Sequence, residues 1–181
     1  MTTDTLNKTP LHLAAEHNDV AAARRLLDEG ADLEARTSWG ATALDWAGVL
    51  GSTAVAELLL ERGAQGYSLA TAAGIGRRGD VERLMPGADA AALANACYLA
   101  ARNGHADIVA LLLDAGAPVD ARGFFGGTGL HWAAINGHRA AIELLLARGA
   151  DRTLKDDRFD ATPADWAREG GHEELAALLR V

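Results

Sequence analysis

The chain has 181 residues, 49% hydrophobic and 23% charged, with a formal net charge of −8; these proportions fit a folded domain with an apolar core and exclude a disordered chain. The negative balance argues against non-specific nucleic-acid binding, which needs a basic stripe to neutralise phosphates. The polar opening MTTDTLNKTP has no signal-peptide core, and the charge-free run 90–101 is too short to span a bilayer, so a cytoplasmic protein without membrane contact is expected.

Threonines and glycines recur at an interval of 33 residues: Thr9 to Thr42, Gly30 to Gly63, Gly104 to Gly137, Gly116 to Gly149. A period of that length, with two short apolar-periodic segments in each unit, predicts helix pairs too small to bury their own apolar faces, which must stack into a solenoid. The first unit, about residues 4–36, carries Asn7 where later units have Gly40, Gly126 and Asp160, all types that tolerate a left-handed turn. Its second helix places Arg25 in a column otherwise filled by Leu58, Leu111, Leu144 and Leu178, a charge suited to an end unit. In the second unit, 37–66, Asp45-Trp46 replaces His-Leu and Gly48 replaces a small Ala.

The third unit, 67–89, is the most degenerate. It can be aligned through Gly76 or through Gly79-Asp80; the first is preferred because it keeps Leu69, Ala72, Ala73 and Leu84 in phase. Pro86 should stop its second helix early. The fourth unit, 90–122, is regular from Tyr98 onward and places the single Cys97 at an apolar position, where a buried structural thiol is expected and no internal disulfide is possible. The fifth, 123–156, is the cleanest copy, and the sixth, 157–181, ends on Leu178-Leu179-Arg180, with Arg168 at a small-residue position. A column of leucines, Leu26, Leu59, Leu84, Leu112, Leu145 and Leu179, runs through all six.

Thr9-Pro10-Leu11-His12-Leu13-Ala14-Ala15, Thr128-Gly129-Leu130-His131-Trp132-Ala133-Ala134 and Thr162-Pro163-Ala164-Asp165-Trp166-Ala167 resemble the TPLHLAA signature of ankyrin repeats. The Gly-His break and the Leu-Leu-x-x-Gly-Ala ending extend the resemblance over nearly the whole chain. It implies one all-α domain, a solenoid of six helix-turn-helix repeats with short β-hairpin fingers, and a non-catalytic module binding a partner protein through its concave face and fingers. A regulatory or inhibitory subunit of an enzyme is an alternative, and a small-molecule-binding protein a weaker one. A monomer without cofactor or metal is expected. The abundance of Ala and the excess of Arg over two Lys suggest a bacterial genome.

None of the six histidines sits in a ligand or catalytic motif: His12 and His131 lie in the signature and His105, His138 and His172 in the break, where satisfying backbone groups is the expected role. Asp45 and Asp165 stand in for the signature histidine, too far apart to act as a pair. The candidate contact residues lie in the fingers. Trp39, Phe125 and Phe159 stand three before each signature threonine, Phe124 adjoins them, and Arg36, Arg122 and Lys155 follow the closing glycines at a fixed interval. Exposed aromatics at such tips are costly unless they pack on each other or on a partner. Only four residues separate Gly63 from Tyr67, so no finger can form in the middle of the stack; a notch should part Trp39 from Phe125 and Phe159.

Overall fold

The computed structural model describes residues 6–180. Twelve α-helices form six successive pairs: α1 (Pro10–Glu16) with α2 (Val20–Asp28), α3 (Ala43–Leu50) with α4 (Thr53–Glu61), α5 (Leu69–Gly74) with α6 (Arg78–Leu84), α7 (Ala90–Arg102) with α8 (Ala106–Asp114), α9 (Gly129–Ile135) with α10 (Arg139–Ala147), and α11 (Pro163–Glu169) with α12 (Glu173–Leu179). The odd-numbered helices pack on one another in succession and form an inner layer. Each pair turns at a residue in the left-handed region, including Asn18, Gly76 and Gly137, with φ of 50°, 78° and 75°. Gly76 therefore takes the place of the glycine in the Gly-His break, which settles the register of the third unit.

Inner helices begin alike because their caps are alike. Thr9, Thr42, Thr128 and Thr162 each form a reciprocal capping box with the residue three places on, His12, Asp45, His131 and Asp165. The two histidines do something further. His12 Nε2–H donates to the Ala41 carbonyl at 3.0 Å, and His131 Nε2–H to the Ala161 carbonyl at 3.1 Å, each in the loop of the next unit. Their Nδ1 atoms then accept from the backbone N–H groups of Thr9 and Thr128, a division of labour that needs the neutral ring. Tyr98, at the same position of α7, serves the next loop differently: its hydroxyl accepts from the Phe124 amide at 3.2 Å.

Behind this layer the leucine column is fully buried at Leu59, Leu112, Leu145 and Leu179. Leu26 and Leu84 are only half-buried, and α6 ends at Leu84, two residues before Pro86, which cannot donate to the preceding turn. The apolar core divides into a block around Leu11, Leu44 and Leu59 and a longer one running from Leu69 to Leu179. At their border α3 and α5 meet through glycine rather than through large side chains. A Cβ on Gly74 would run into the Gly48 carbonyl oxygen, and Asn103, at the end of α7, donates past α5 to the carbonyls of Gly48 at 3.1 Å and Gly74 at 2.9 Å. The six-residue α5 thus lets α7 reach α3 directly.

The expected β-hairpin fingers are absent. Among the described residues there is no β-strand, only an isolated bridge between Arg122 and Thr128. The three loops, 36–41, 122–127 and 155–161, are tight turns, each closed by a backbone bond such as Thr37 N–H to the Ala41 carbonyl or Asp156 N–H to the Ala161 carbonyl. The chain re-enters a helix immediately afterwards, and carbonyls that a ladder would use are taken by arginine: Arg36 donates to Gly40 O at 2.6 Å and Arg122 to Gly126 O at 2.7 Å. Between Gly63 and α7 no loop projects. The place of the missing finger before α7 is helix, which Asp89 caps by accepting from the Ala92 amide and which runs for 13 residues.

Two measurements check this arrangement. Gly74→Ala should lower stability by about 1–3 kcal/mol in urea unfolding, as overfilling a closed contact does, despite the better helix propensity of alanine; a neutral substitution would mean that α3 and α5 do not approach this closely. Burial lowers the pKa of His131, and burial foremost also lowers that of His138. A folded pKa below the unfolded value of about 6.5 means that the stabilisation is complete above that pH and is lost as pH falls through it toward the folded pKa. The urea midpoint should therefore drop between about pH 7.5 and pH 5, and drop less in His131→Gln.

Candidate functional site

The exposed aromatic residues of the loops form one surface with aromatic residues of the inner helices. Trp39 and Phe159 are the most exposed, at 62% and 61%, with Phe124 and Phe125 at 43% and 42%. Trp39 stacks on Phe124 with ring centroids 6.4 Å apart, Phe124 meets Tyr98 at 6.3 Å, and Tyr98 meets Trp132 edge-on at 6.3 Å. Trp132 continues the series to Phe125 at 6.4 Å and to Trp166 at 5.0 Å, and Phe159 closes it on Phe125 and Trp166. The expected notch is therefore bridged. Where two loops are missing, the glycine contact of α3 with α5 and the reach of α7 to α3 shorten the stack, so the first loop meets the second.

Several bonds hold this belt in place. Phe125 has φ of 60°, a left-handed backbone that costs a bulky residue about 1–3 kcal/mol and is kept only where the surroundings impose it. Here the Phe125 carbonyl accepts from the Asp157 amide in the next loop at 2.9 Å. Asp156 is 3% exposed and organises the third loop: its carboxylate accepts from the amides of Arg158, Phe159 and Ala161 and, at 3.0 Å, from the indole N–H of Trp166. Burial alone would raise its pKa, but these hydrogen bonds prevail and hold the carboxyl below the usual range, so it is ionised beside Trp166.

The residues singled out in the sequence divide into two groups. Trp39, Phe124, Phe125 and Phe159 come together on the belt. Arg36 and Arg122 brace their own loops, Arg122 also donating to Lys155 O at 2.9 Å and Asp157 at 3.1 Å, and Lys155 pairs with Asp160 at 2.6 Å. The sequence reading missed Trp132, Trp166, Tyr98, Arg102 and Arg158 as members of the belt, of which Tyr98 and Trp166 are buried beneath the exposed rings. A signal existed, since Trp46, Trp132 and Trp166 all follow the signature-histidine position directly. Arg102 lies over the Trp132 ring at 4.0 Å, and Arg158 over Phe125 at 4.5 Å and Phe159 at 5.3 Å.

A cleft of about 630 Å³ opens between the second and third loops and helices α9 and α11, lined by Phe125, Trp132, Phe159, Trp166, Asp165 and Glu169 among others. Its walls are chiefly aromatic and other apolar side chains; the polar groups sit at the first and last turns of α11. Cys97 is buried away from solvent, its thiol pushed up to about 12 by burial and hence protonated. Among the described residues no group of three or more His, Cys, Asp or Glu side chains is placed to hold a metal, and no helix is long and apolar enough to cross a membrane.

The stacked helix pairs, the capping boxes and the cross-unit histidine bonds match one family. Its model, described as ankyrin repeats (3 copies), matches residues 1–68, 69–156 and 97–180. The chain belongs to the ankyrin-repeat family. Among its relatives, human Neurogenic locus notch homolog protein 2 is 32% identical over 156 residues, 86% of this chain and 6% of the relative. Fruit-fly (Drosophila melanogaster) Palmitoyltransferase Hip14 is 45% identical over 60 residues, 33% of this chain and 9% of the relative. Mouse Serine/threonine-protein kinase TNNI3K is 36% identical over 83 residues, 41% of this chain and 10% of the relative. The ankyrin chain thus spans a tenth or less of the length of these relatives, all animal proteins, which lend nothing to the bacterial origin suggested by composition.

The left-handed Phe125 gives a direct check on the ankyrin belt. Phe125→Gly should be more stable than Phe125→Ala by about 1 kcal/mol in thermal or urea unfolding, because both lose the ring but only glycine relieves the backbone. Equal stabilities would remove the imposed conformation from the account.

Proposed function

We propose that this ankyrin-repeat chain is a non-catalytic module that receives a partner protein on its inner face and loops, the concave side expected of such a stack. The carrying observation is the aromatic belt: side chains drawn from three loops and three inner helices, α7, α9 and α11, form one surface that remains substantially exposed at Trp39, Phe124, Phe125 and Phe159. Aromatic anchors at the centre of an interface, rimmed by polar groups, contribute more than their share of binding energy. The belt's internal stacking keeps its rings ordered before binding, which reduces the entropy lost on association. Six repeats, a monomeric state and a reducing, cytoplasmic setting complete the proposal, the last supported by the free buried thiol of Cys97. Whether the partner is held or also inhibited depends on that partner.

Small-molecule binding is favoured by one observation, the volume of the cleft, which lies within the range of ligand sites. Its polar groups lie at one edge and Asp165 is already committed to capping Thr162 and to Arg168, so few are free to orient a small ligand.

A random-peptide display library selected against the folded chain tests the proposal. Selected peptides should lose about thirtyfold in affinity or more, a hot-spot loss of ~2 kcal/mol, on Phe125→Gly or Phe159→Ala and be unaffected by Glu61→Ala on the outer helix α4. Peptides that bind both belt variants as well as the parent would place the recognition surface elsewhere.

A further inference from the structure

We infer that the cleft between the second and third loops receives a basic side chain, arginine or lysine, from the partner segment. The inference rests on the inner face being a protein-recognition surface and names the chemistry that one part of it selects. Four rings, Phe125, Trp132, Phe159 and Trp166, present their faces or edges around the cleft, and an aromatic face attracts a cation through its quadrupole. The protein itself uses these rings in this way: Arg102 lies on Trp132, and Arg158 on Phe125 and Phe159.

The charges of the cleft decide the sign of the occupant. Asp165 and Glu169 line it; among the described residues Arg168 also lines it and is paired with Asp165 at 3.0 Å, while Arg158 lies over Phe125 and Phe159 without lining the cleft. The Glu169 side chain is exposed and, among the described residues, has no ion-pair or hydrogen-bond partner, so this carboxylate at the rim is uncommitted. Trp166, which lines the cleft but is itself buried, donates its indole N–H to the buried, ionised Asp156 at 3.0 Å, so a second negative charge lies next to that ring. An acidic side chain would meet Glu169 and the negative ring faces together. A purely apolar one would fill the walls but leave the carboxylate unused. A lysine or arginine satisfies both, its methylene stem against the rings and its charge toward Glu169.

The test uses the full chain labelled with ¹⁵N, whose Trp132 and Trp166 indole N–H signals report on the cleft. Short glycine peptides carrying one central arginine, lysine, citrulline, norleucine or glutamate are titrated into the millimolar range. The arginine and lysine peptides should move both indole signals saturably and bind at least about fivefold more tightly than the other three, the scale expected of a partly desolvated cation–π contact. Glu169→Lys should weaken them by a similar factor without changing the melting temperature, because Glu169 is exposed and holds nothing in place. Norleucine or citrulline binding as tightly as arginine would reduce the cleft to an apolar slot, and indoles unmoved by any peptide would also overturn the inference. Either result, with display-selected peptides still sensitive to Phe125→Gly, would leave the recognition function standing and remove only its preference for a basic residue.

Discussion

The position three residues after each signature threonine governs how one repeat holds the next. A neutral imidazole there accepts from its own helix start with one nitrogen and donates to the following loop with the other, so His12 and His131 tie two structural units with a single ring. A carboxylate can perform only the first task, because it has no proton to give to a carbonyl. Asp45 and Asp165 accordingly cap their own helices and reach no further loop. The residue type at this position follows the architecture: histidine or tyrosine where a loop follows in the next unit, aspartate or alanine, as at Asp45 and Ala70, where the loop is missing.

The missing loops shape the aromatic belt. Removing them would leave a gap in an evenly spaced stack, but the same region also has a short α5, a glycine at each side of its contact with α3, and Asn103 spanning the three helices. Together these draw the first loop against the second, so that Trp39 rests on Phe124. Degeneracy in the third unit therefore gives the belt its continuity. Rings that would be isolated, costly protrusions become mutually supporting, and the apolar area they leave in water is concentrated on one face.

Charge is used differently at the two ends of this surface. In the loops, Arg36 and Arg122 donate to carbonyls of their own turns, and Arg122 and Lys155 also pair with Asp157 and Asp160. At α11, Glu169 remains uncommitted while the buried Asp156 accepts the indole N–H of Trp166. An acidic chain thus carries one uncommitted, exposed carboxylate beside its largest group of aromatic side chains.

Sequence alone determined the helix pairs, their period, the register of the third unit through Gly76, the stop at Pro86, the buried thiol and the lack of room for a loop after Gly63, because each rests on local sterics or on a short-range apolar pattern. It also supplied the aromatic members of the loops. The tertiary structure decided the rest. The fingers are turns rather than hairpins, with arginine on the Gly40 and Gly126 carbonyls in the first two and Asp156 gathering the amides of the third, and the notch is closed because glycine contacts between helices shorten the stack. The basic loop residues brace their own loops, and tryptophans that read as signature positions line a cleft. The closing of the notch and the assembly of the cleft depend on which groups 26 to 55 residues apart meet in space, as Asn103 meets Gly48 and Phe124 meets Tyr98, and no local pattern encodes those meetings; the loop braces, Arg36 to Gly40 and Arg122 to Gly126, are contacts only four residues apart whose side-chain geometry the sequence did not show.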